Sequence, residues 1–354
     1  MQFPIFKTKT KSNQTFNLTY AKERKAYFEL KAGKEIKKLR NYLNKNNTFI
    51  AYLLGKKNSG KGTYTKLFME AVDDKKVASI SIGDLVRRTH QEMTNENKKK
   101  ELINFLEKHY RGFIPIKDAM QALLKRNTES LLPTEFILAL VKKEIMAMKK
   151  KALFIDGFPR ELDQVSYSLF FRDLIDYRTD PDIFVLIDVP ESVISERMKW
   201  RVVCPHCHNS KNLKLYLSKE IKYDKGSKKF YFICDSPQCQ AIKMISKEGD
   251  KLGTKPIRKR LKLDEELIKQ ALSLHGIPKV LLRNSIPVKE AKKYVDDYEI
   301  TPEYHYKWDA KSKMVKITEK SWAVLDDERV SSYSLLPPPV AVSLIKQMAN
   351  ILCP

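Results

Sequence analysis

No stretch of this 354-residue chain stays apolar for the roughly 20 residues that a bilayer-spanning helix needs. The N-terminus also lacks the apolar core of a secretory signal, so a cytoplasmic protein with no membrane partner is expected. Acidic residues are in short supply: Asp and Glu number 43 against 67 Lys and Arg, a formal net charge of +24. That balance favours polyanionic partners such as nucleotides, nucleic acid or acidic membrane. Lysine is spread through nearly every segment, however, which fits a solvated lysine-biased surface and leaves a dedicated nucleic-acid site open but not favoured. Cysteine is sparse. There are five, an odd number for a disulfide framework, with four clustered in a metal-like pattern and Cys353 apart near the end. What is present is globular in character, with 42% hydrophobic and 10% aromatic residues in a chain long enough for about two or three domains.

The chain is organised around Gly55-Lys56-Lys57-Asn58-Ser59-Gly60-Lys61-Gly62-Thr63. The apolar run Phe49-Ile50-Ala51-Tyr52-Leu53-Leu54 before it reads as a short buried strand, and Tyr64-Thr65-Lys66-Leu67-Phe68-Met69 after it as an amphipathic helix. Strand, glycine-punctuated loop and helix, in that order, form the phosphate-cradling arrangement of P-loop proteins. Glycines let backbone N–H groups curl around phosphate oxygens, the helix N-terminus adds its positive dipole end, and Lys61 adds a mobile charge. The strict pattern puts Ser or Thr directly after the lysine to hold Mg²⁺; here Gly62 stands there and Thr63 follows. A loop ending G-K-G-T resembles the nucleoside monophosphate kinases, adenylate kinase above all, where Mg²⁺ is held largely through water. Lys57 and Asn58 stand where that family usually has Pro and Gly. Asn enters left-handed backbone conformations readily, so the loop is expected still to form.

Further matches follow in order. Val77-Ala78-Ser79-Ile80 reads as a second strand and leads into Ser81-Ile82-Gly83-Asp84-Leu85-Val86-Arg87, similar to the family's S-T-G-D-M-L-R. The resemblance implies that Arg87 grips the acceptor phosphate and sets Asp84 among the nucleotide-binding residues. Ile82 in place of threonine removes a hydroxyl near the acceptor base. Residues 88–130 outrun the family's usual acceptor-binding segment, with helical patterns near 102–110 and 116–124. Leu131-Leu132-Pro133-Thr134-Glu135-Phe136-Ile137-Leu138-Ala139-Leu140-Val141-Lys142 resembles L-V-T-D-E-L-V-I-A-L-V-K, which lines the acceptor base pocket. The strand Ala152-Leu153-Phe154-Ile155 then delivers Asp156-Gly157-Phe158-Pro159-Arg160, with Gln164 four residues on. An acid at the end of a buried parallel strand can orient hydrated Mg²⁺, and an arginine just beyond can reach a phosphate bidentately. By the resemblance, Asp156 organises Mg²⁺ and its waters, Arg160 binds the acceptor phosphate and Gln164 hydrogen-bonds the acceptor base.

Pro181-Asp182-Ile183-Phe184-Val185-Leu186-Ile187-Asp188-Val189-Pro190 reads as a fourth buried strand. In the helix expected from Glu191 to Arg201, Arg197 and Arg201 lie four apart and so share a face. The resemblance implies that Arg197 packs on the adenine of ATP and Arg201 contacts phosphates. Between 202 and 256 the composition changes. Cys204-Pro205-His206-Cys207 and Cys234-Asp235-Ser236-Pro237-Gln238-Cys239 are joined by alternating residues around 213–217 and 230–233, and together read as a zinc ribbon holding structural Zn²⁺. His206 or His208 is an alternative ligand for one cysteine. Adenylate kinases of the long type have their mobile lid here. Arg258-Lys259-Arg260-Leu261 opens a helix to about residue 274 and resembles the family's R-K-R-L, which implies that Arg260 closes on the transferring phosphate. The family's other lid arginine has no clean counterpart; Lys247 and Lys251 are the candidates. Residues 275–300 read as an insertion, Thr301-Pro302-Glu303-Tyr304-His305-Tyr306 echoes a family T-x-P-L-x-x-Y-Y stretch, and Lys320-Ser321-Trp322-Ala323-Val324-Leu325-Asp326 reads as the last core strand. A closing helix is expected over 340–352, with Pro337-Pro338-Pro339 as its rigid entry.

The expected fold is α/β, a P-loop NTPase-like doubly wound parallel sheet spanning 48–354. Within it lie a helical insert for the nucleoside monophosphate at 81–133 and a zinc-ribbon-like β lid with a four-cysteine zinc site at 202–257. Residues 1–47 read as a basic extension with one helix over 34–44. The expected reaction is phosphoryl transfer from Mg-ATP to a nucleoside monophosphate, with AMP the foremost acceptor and the chain acting as a monomer. Positioning, charge neutralisation and exclusion of water are what such a transfer requires, and closure of the lid would supply the last of these. Relatives acting on UMP, CMP or GMP, and a non-catalytic nucleotide- or RNA-binding relative, are the alternatives.

Overall fold

The apolar runs that flank the glycine loop meet in one sheet. The computed structural model describes residues 3–124, 132–148, 150–159, 181–207, 209–236, 239, 241–246 and 249–354. In chain order, α1 (Ala21–Asn44) precedes β1 (Ile50–Gly55), the loop and α2 (Lys61–Ala71). β2 (Val77–Ser81) runs straight into α3 (Ile82–Glu92); α4 (Glu96–His109), α5 (Ile116–Leu124) and α6 (Thr134–Met146) lead to β3 (Ala152–Asp156) and β4 (Asp182–Asp188). α7 (Glu191–Lys199) is followed by β5 (Arg201–Val203), β6 (Ser210–Asn212), β7 (Ile221–Asp224), β8 (Lys229–Phe232) and β9 (Ile245–Ser246). Then come α8 (Arg258–Ser273), β10 (Lys279–Arg283), β11 (Ser285–Pro287), α9 (Val288–Tyr294), β12 (Pro302–Asp309), β13 (Met314–Ser321), β14 (Ala323–Leu325), β15 (Ser331–Ser334) and α10 (Pro337–Leu352). No helix among the described residues is long and apolar enough to cross a membrane.

The chain divides into two compact units. One comprises Phe28–Ile187, Lys262–Leu282 and Leu344–Pro354 and bears the glycine loop. Its sheet has the order β10-β4-β1-β3-β2, and the pairs β1–β3, β1–β4 and β2–β3 are parallel. Parallel strands covered on both faces read as continuous apolar runs, and β1 is buried at every position. Phe154 holds the centre, edge-on to Phe49 at 5.4 Å and to Phe68 of α2 at 5.1 Å. The register sets Leu53 opposite Asp156 and Gly55 opposite Ile187, so the loop leaves the sheet beside the acid that ends β3. This is the expected α/β fold with a parallel central sheet.

Two expectations are corrected here. The strand beside β4 is β10, inside the stretch read as an insertion, whereas the stretch 320–326 takes no part in this sheet. The alternation of Lys279-Val280-Leu281-Leu282-Arg283 buries Val280 and Leu282 fully, but five residues with charged ends between Gly276-Ile277-Pro278 and the polar pair Asn284-Ser285 carry little signal. The N-terminal helix also starts earlier than its periodicity, because Tyr27, Phe28 and Ala32 extend the buried set Ile36, Leu39 and Leu43 into a lysine-rich stretch.

The second unit comprises Met1–Tyr27, Asp188–Leu261 and Arg283–Ser343 and bears the cysteines. Its sheets are small: β6-β5-β9, the hairpin β7–β8, the hairpin β12–β13, and β11-β15-β14. The strand paired with β8 is β7, not the stretch 213–217, which turns because the Asn212 carboxamide oxygen accepts from the N–H groups of Lys214 and Leu215, each at 2.9 Å. Part of the extension is tied down within this unit. The fully buried Glu299 carboxylate accepts from the Thr8 and Tyr27 hydroxyls at 2.6 Å each and from the Asp296 N–H at 2.8 Å. Burial and that carboxylate push the Tyr27 phenol well above its usual range.

Candidate functional site

The loop after β1 is shaped by two left-handed residues, Asn58 at φ 67° and Gly60 at φ 97°. Asn58 adopts the conformation expected of it. Gly55 is close-packed: a Cβ there would lie 2.7 Å from Ser59 Oγ and 3.1 Å from the Ile187 Cβ. Ser59 is fully buried, and its hydroxyl meets no hydrogen-bond partner among the described residues. Gly60 is the N-cap of α2 and places no side-chain cap over its first turn, which leaves the helix end open to an anion. Lys61 starts the helix and curls back, its ammonium donating to Gly55 O at 2.8 Å and lying 3.9 Å from the Asp156 carboxylate. Gly62 and Thr63 follow as exposed residues of the same turn. An orphaned buried hydroxyl, uncapped amides and an ammonium facing a carboxylate fit a phosphate group carried with a hydrated cation.

In the same unit the Ser81 hydroxyl caps α3 by accepting from Asp84 N at 3.3 Å, and Arg87 pairs with Asp84 one turn on, both side chains exposed. Ile82 is fully buried. Arg160, Gln164, His208 and Lys247 lie outside the described residues.

The other arginines belong to the cysteine-bearing unit. The expectation that Arg197 and Arg201 share a helical face is corrected: α7 ends at Lys199, and Arg201 opens β5. Arg201 makes a two-pronged pair with Asp250, Nε to Oδ2 at 2.6 Å and Nη2 to Oδ1 at 2.7 Å. Arg197 donates to Asn284 Oδ1 at 3.1 Å and Ser334 Oγ at 3.4 Å. Arg260 is half-buried in the first turn of α8. Asp250, Asn284 and Ser334 were not singled out from sequence. They stand 49, 87 and 137 residues from the arginines they hold, and no local pattern reports a contact at such separations.

Cys204, Cys207, Cys234 and Cys239 converge, their four Sγ atoms all within 4.8 Å of one another. Cys204 lies 3.7 Å from Cys239, and Cys207 lies 3.6 Å from Cys234. A tetrahedron of thiolates at the usual Zn–S distance of ~2.3 Å has edges of about 3.8 Å, so the set fits a zinc ion. The backbone N–H of Cys207 draws the Cys204 thiol down to about 7, while burial and the neighbouring sulfurs push Cys239 up to about 12. Such a set ionises fully only around a cation. Val202, Phe232 and Met244 pack around the sulfurs. His206 stands beside the set, with Nδ1 3.5 Å from Cys239 Sγ.

A family model described as an AAA domain matches residues 54–202. The adenylate kinase of Thermotoga neapolitana is 28% identical over 237 residues, covering 66% of this chain and 89% of its own length. That of Kosmotoga olearia is 31% identical over 215 residues, covering 60% of this chain and 81% of its own, and that of Clostridium novyi is 32% identical over 163, covering 46% and 63%. On the likeness over most of those relatives and the loop geometry above, the chain belongs to the adenylate kinase family.

Proposed function

We propose that the chain is an ATP-dependent nucleoside monophosphate kinase that moves the terminal phosphate of ATP to AMP, giving two ADP. The observation that carries this reading is Lys61, held 2.8 Å from Gly55 O and 3.9 Å from the Asp156 carboxylate at the ends of paired strands. The loop amides, Ser59 and Lys61 bind and orient the donor phosphates, Gly55 and Gly60 allow the close-packed loop that presents them, and Gly62 and Thr63 complete the phosphate-binding turn. Arg87 and Arg160 hold the acceptor phosphate, Asp84 and Gln164 serve the acceptor side, and Arg197 takes the donor adenine. Arg201 and Arg260 spread positive charge over the transferring group, where charge develops. Mg²⁺ carried with ATP would supply charge neutralisation, and Asp156 would be the residue that holds it. The four cysteines carry one structural Zn²⁺, since four thiolates leave no open position for substrate. Reduced thiols kept for a metal support a cytoplasmic setting.

The test is to mix the protein with Mg-ATP and AMP, UMP, CMP or GMP in turn and measure diphosphate. AMP is expected to react fastest. A faster UMP, CMP or GMP reaction would shift the acceptor, with buried Ile82 the first residue to examine. No diphosphate from any of them, with ATP bound, would make the chain a non-catalytic relative.

A further inference from the structure

Residues 56–59 of the loop form a tight turn, since Ser59 N donates to Lys56 O at 3.0 Å and Asn58, third in the turn, has φ 67°. A positive φ at the third position without one at the second, Lys57, marks type II rather than I′. In such a turn the N–H of the second residue takes no part in the closing hydrogen bond and needs an acceptor outside it. Here that residue is Lys57, and its N–H donates to Asp264 Oδ2 at 2.8 Å. Asp264 comes from α8, 207 residues away, and is only 5% exposed.

We propose that Asp264 is a positioning residue for the phosphate loop, its carboxylate fixing the Lys57–Asn58 turn from behind so that the amides that follow meet ATP's phosphates. The proposal rests on the kinase reading above. Its logic is that of the turn itself. The second position of a type II turn suits proline, whose ring fixes φ and removes the N–H. Lysine there has a free φ and an N–H to satisfy. A buried carboxylate in a charge-assisted hydrogen bond meets both needs. It acts on the donor side alone, since the acceptor residues Arg87 and Asp84 lie on another element.

The consequence is a specific coupling: proline at position 57 should make Asp264 dispensable. ATP binding in the presence of Mg²⁺ is measured by calorimetry for the wild type, Asp264→Ala, Asp264→Asn, Lys57→Pro and the Lys57→Pro, Asp264→Ala double variant, beside melting temperatures and the two Michaelis constants. Asp264→Ala is expected to weaken ATP about tenfold while moving the AMP constant less than about twofold. Asp264→Asn keeps an acceptor and should recover most of the loss. In the Lys57→Pro background the Asp264→Ala change should alter ATP affinity less than about twofold. Unchanged ATP affinity in Asp264→Ala would overturn the proposal, as would equal weakening of ATP and AMP or the full tenfold loss persisting in the Lys57→Pro background. Should Asp264→Ala fail to fold alone, a Lys57→Pro, Asp264→Ala double variant that folds and binds ATP as Lys57→Pro does would support the coupling, and a double variant that also fails to fold would overturn it. A wild type that makes no diphosphate would overturn the kinase reading instead, while the same ATP titrations decide the role of Asp264.

Discussion

Around the glycine loop the backbone hangs from β1, buried at all six residues between two parallel neighbours and braced by Phe49, Phe68 and Phe154. Around the cysteines the strands run for two to four residues, and the thiols themselves are part of the buried cluster. One surface is held by a hydrophobic core and the other lacks enough of one. Small modules with so little apolar area need a metal or disulfides to stay folded. The difference separates chemistry from architecture. At the loop the charge that would act on phosphates can be removed without losing the fold, whereas at the cysteines the proposed zinc would hold the shape.

The sharpest break in that comparison is Lys61→Ala. On the proposed reading the ammonium acts on the phosphates, and in the described structure it bonds only loop carbonyls and Asp156. We expect kcat to fall about 10³-fold, in the range for losing one preorganised charge, with the melting temperature nearly unchanged. Activity within twofold of wild type would remove the enzyme reading of this loop.

Next in size is the cysteine cluster. Elemental analysis is expected to find one zinc per chain, lost in a Cys204→Ser, Cys207→Ser variant. Hydrogen exchange should then rise over β5–β9 and stay at wild-type level in β1, β3 and β4, with activity down about tenfold through the arginines of that unit. Protein without stoichiometric metal and with a disulfide in its place would overturn both the zinc site and the compartment argued from it.

The contrast also explains what the sequence made legible. The loop, β1–β4 and the cysteine pairs were readable because each is local, with glycines or thiols at fixed spacing and apolar runs of buried strands. β10 is hidden by its length and charged ends, and Trp322 and Val324 read as a core strand where, among the described residues, β14 pairs only with β15. Arg201 reads as sharing a helical face with Arg197 because nothing in Glu191–Lys199 announces the end of α7 one residue before Trp200. Asp264 on Lys57 and Asp250 on Arg201 were invisible for a different reason. A lone carboxylate in a charged helix or loop looks like any other until the fold brings its partner to it.

The smallest effect sharpens the same comparison at single backbone positions. Asn58 at φ 67° in the loop and Lys228 at φ 51° in the β7–β8 turn are both non-glycine residues in the left-handed region. A Cβ there costs about 1–2 kcal/mol, less for Asn, whose short polar side chain is compatible with it. Asn58→Ala should therefore lower stability by roughly 1 kcal/mol, whereas Asn58→Gly should be close to neutral, relief of the Cβ offsetting the extra freedom of the unfolded chain. Lys228→Gly should gain a few tenths to about 1 kcal/mol, since lysine there has no such compensation. The two sites then part in what ATP reports. Asn58→Ala distorts the turn that presents the loop amides and should weaken ATP binding several-fold. Lys228→Gly changes only a hairpin and should leave the ATP titration where it was. Melting curves and ATP calorimetry on the three variants check this together: a loop that tolerates alanine at 58 without loss of ATP affinity would mean that the turn does not set the phosphate geometry, and that the strand and helix alone do.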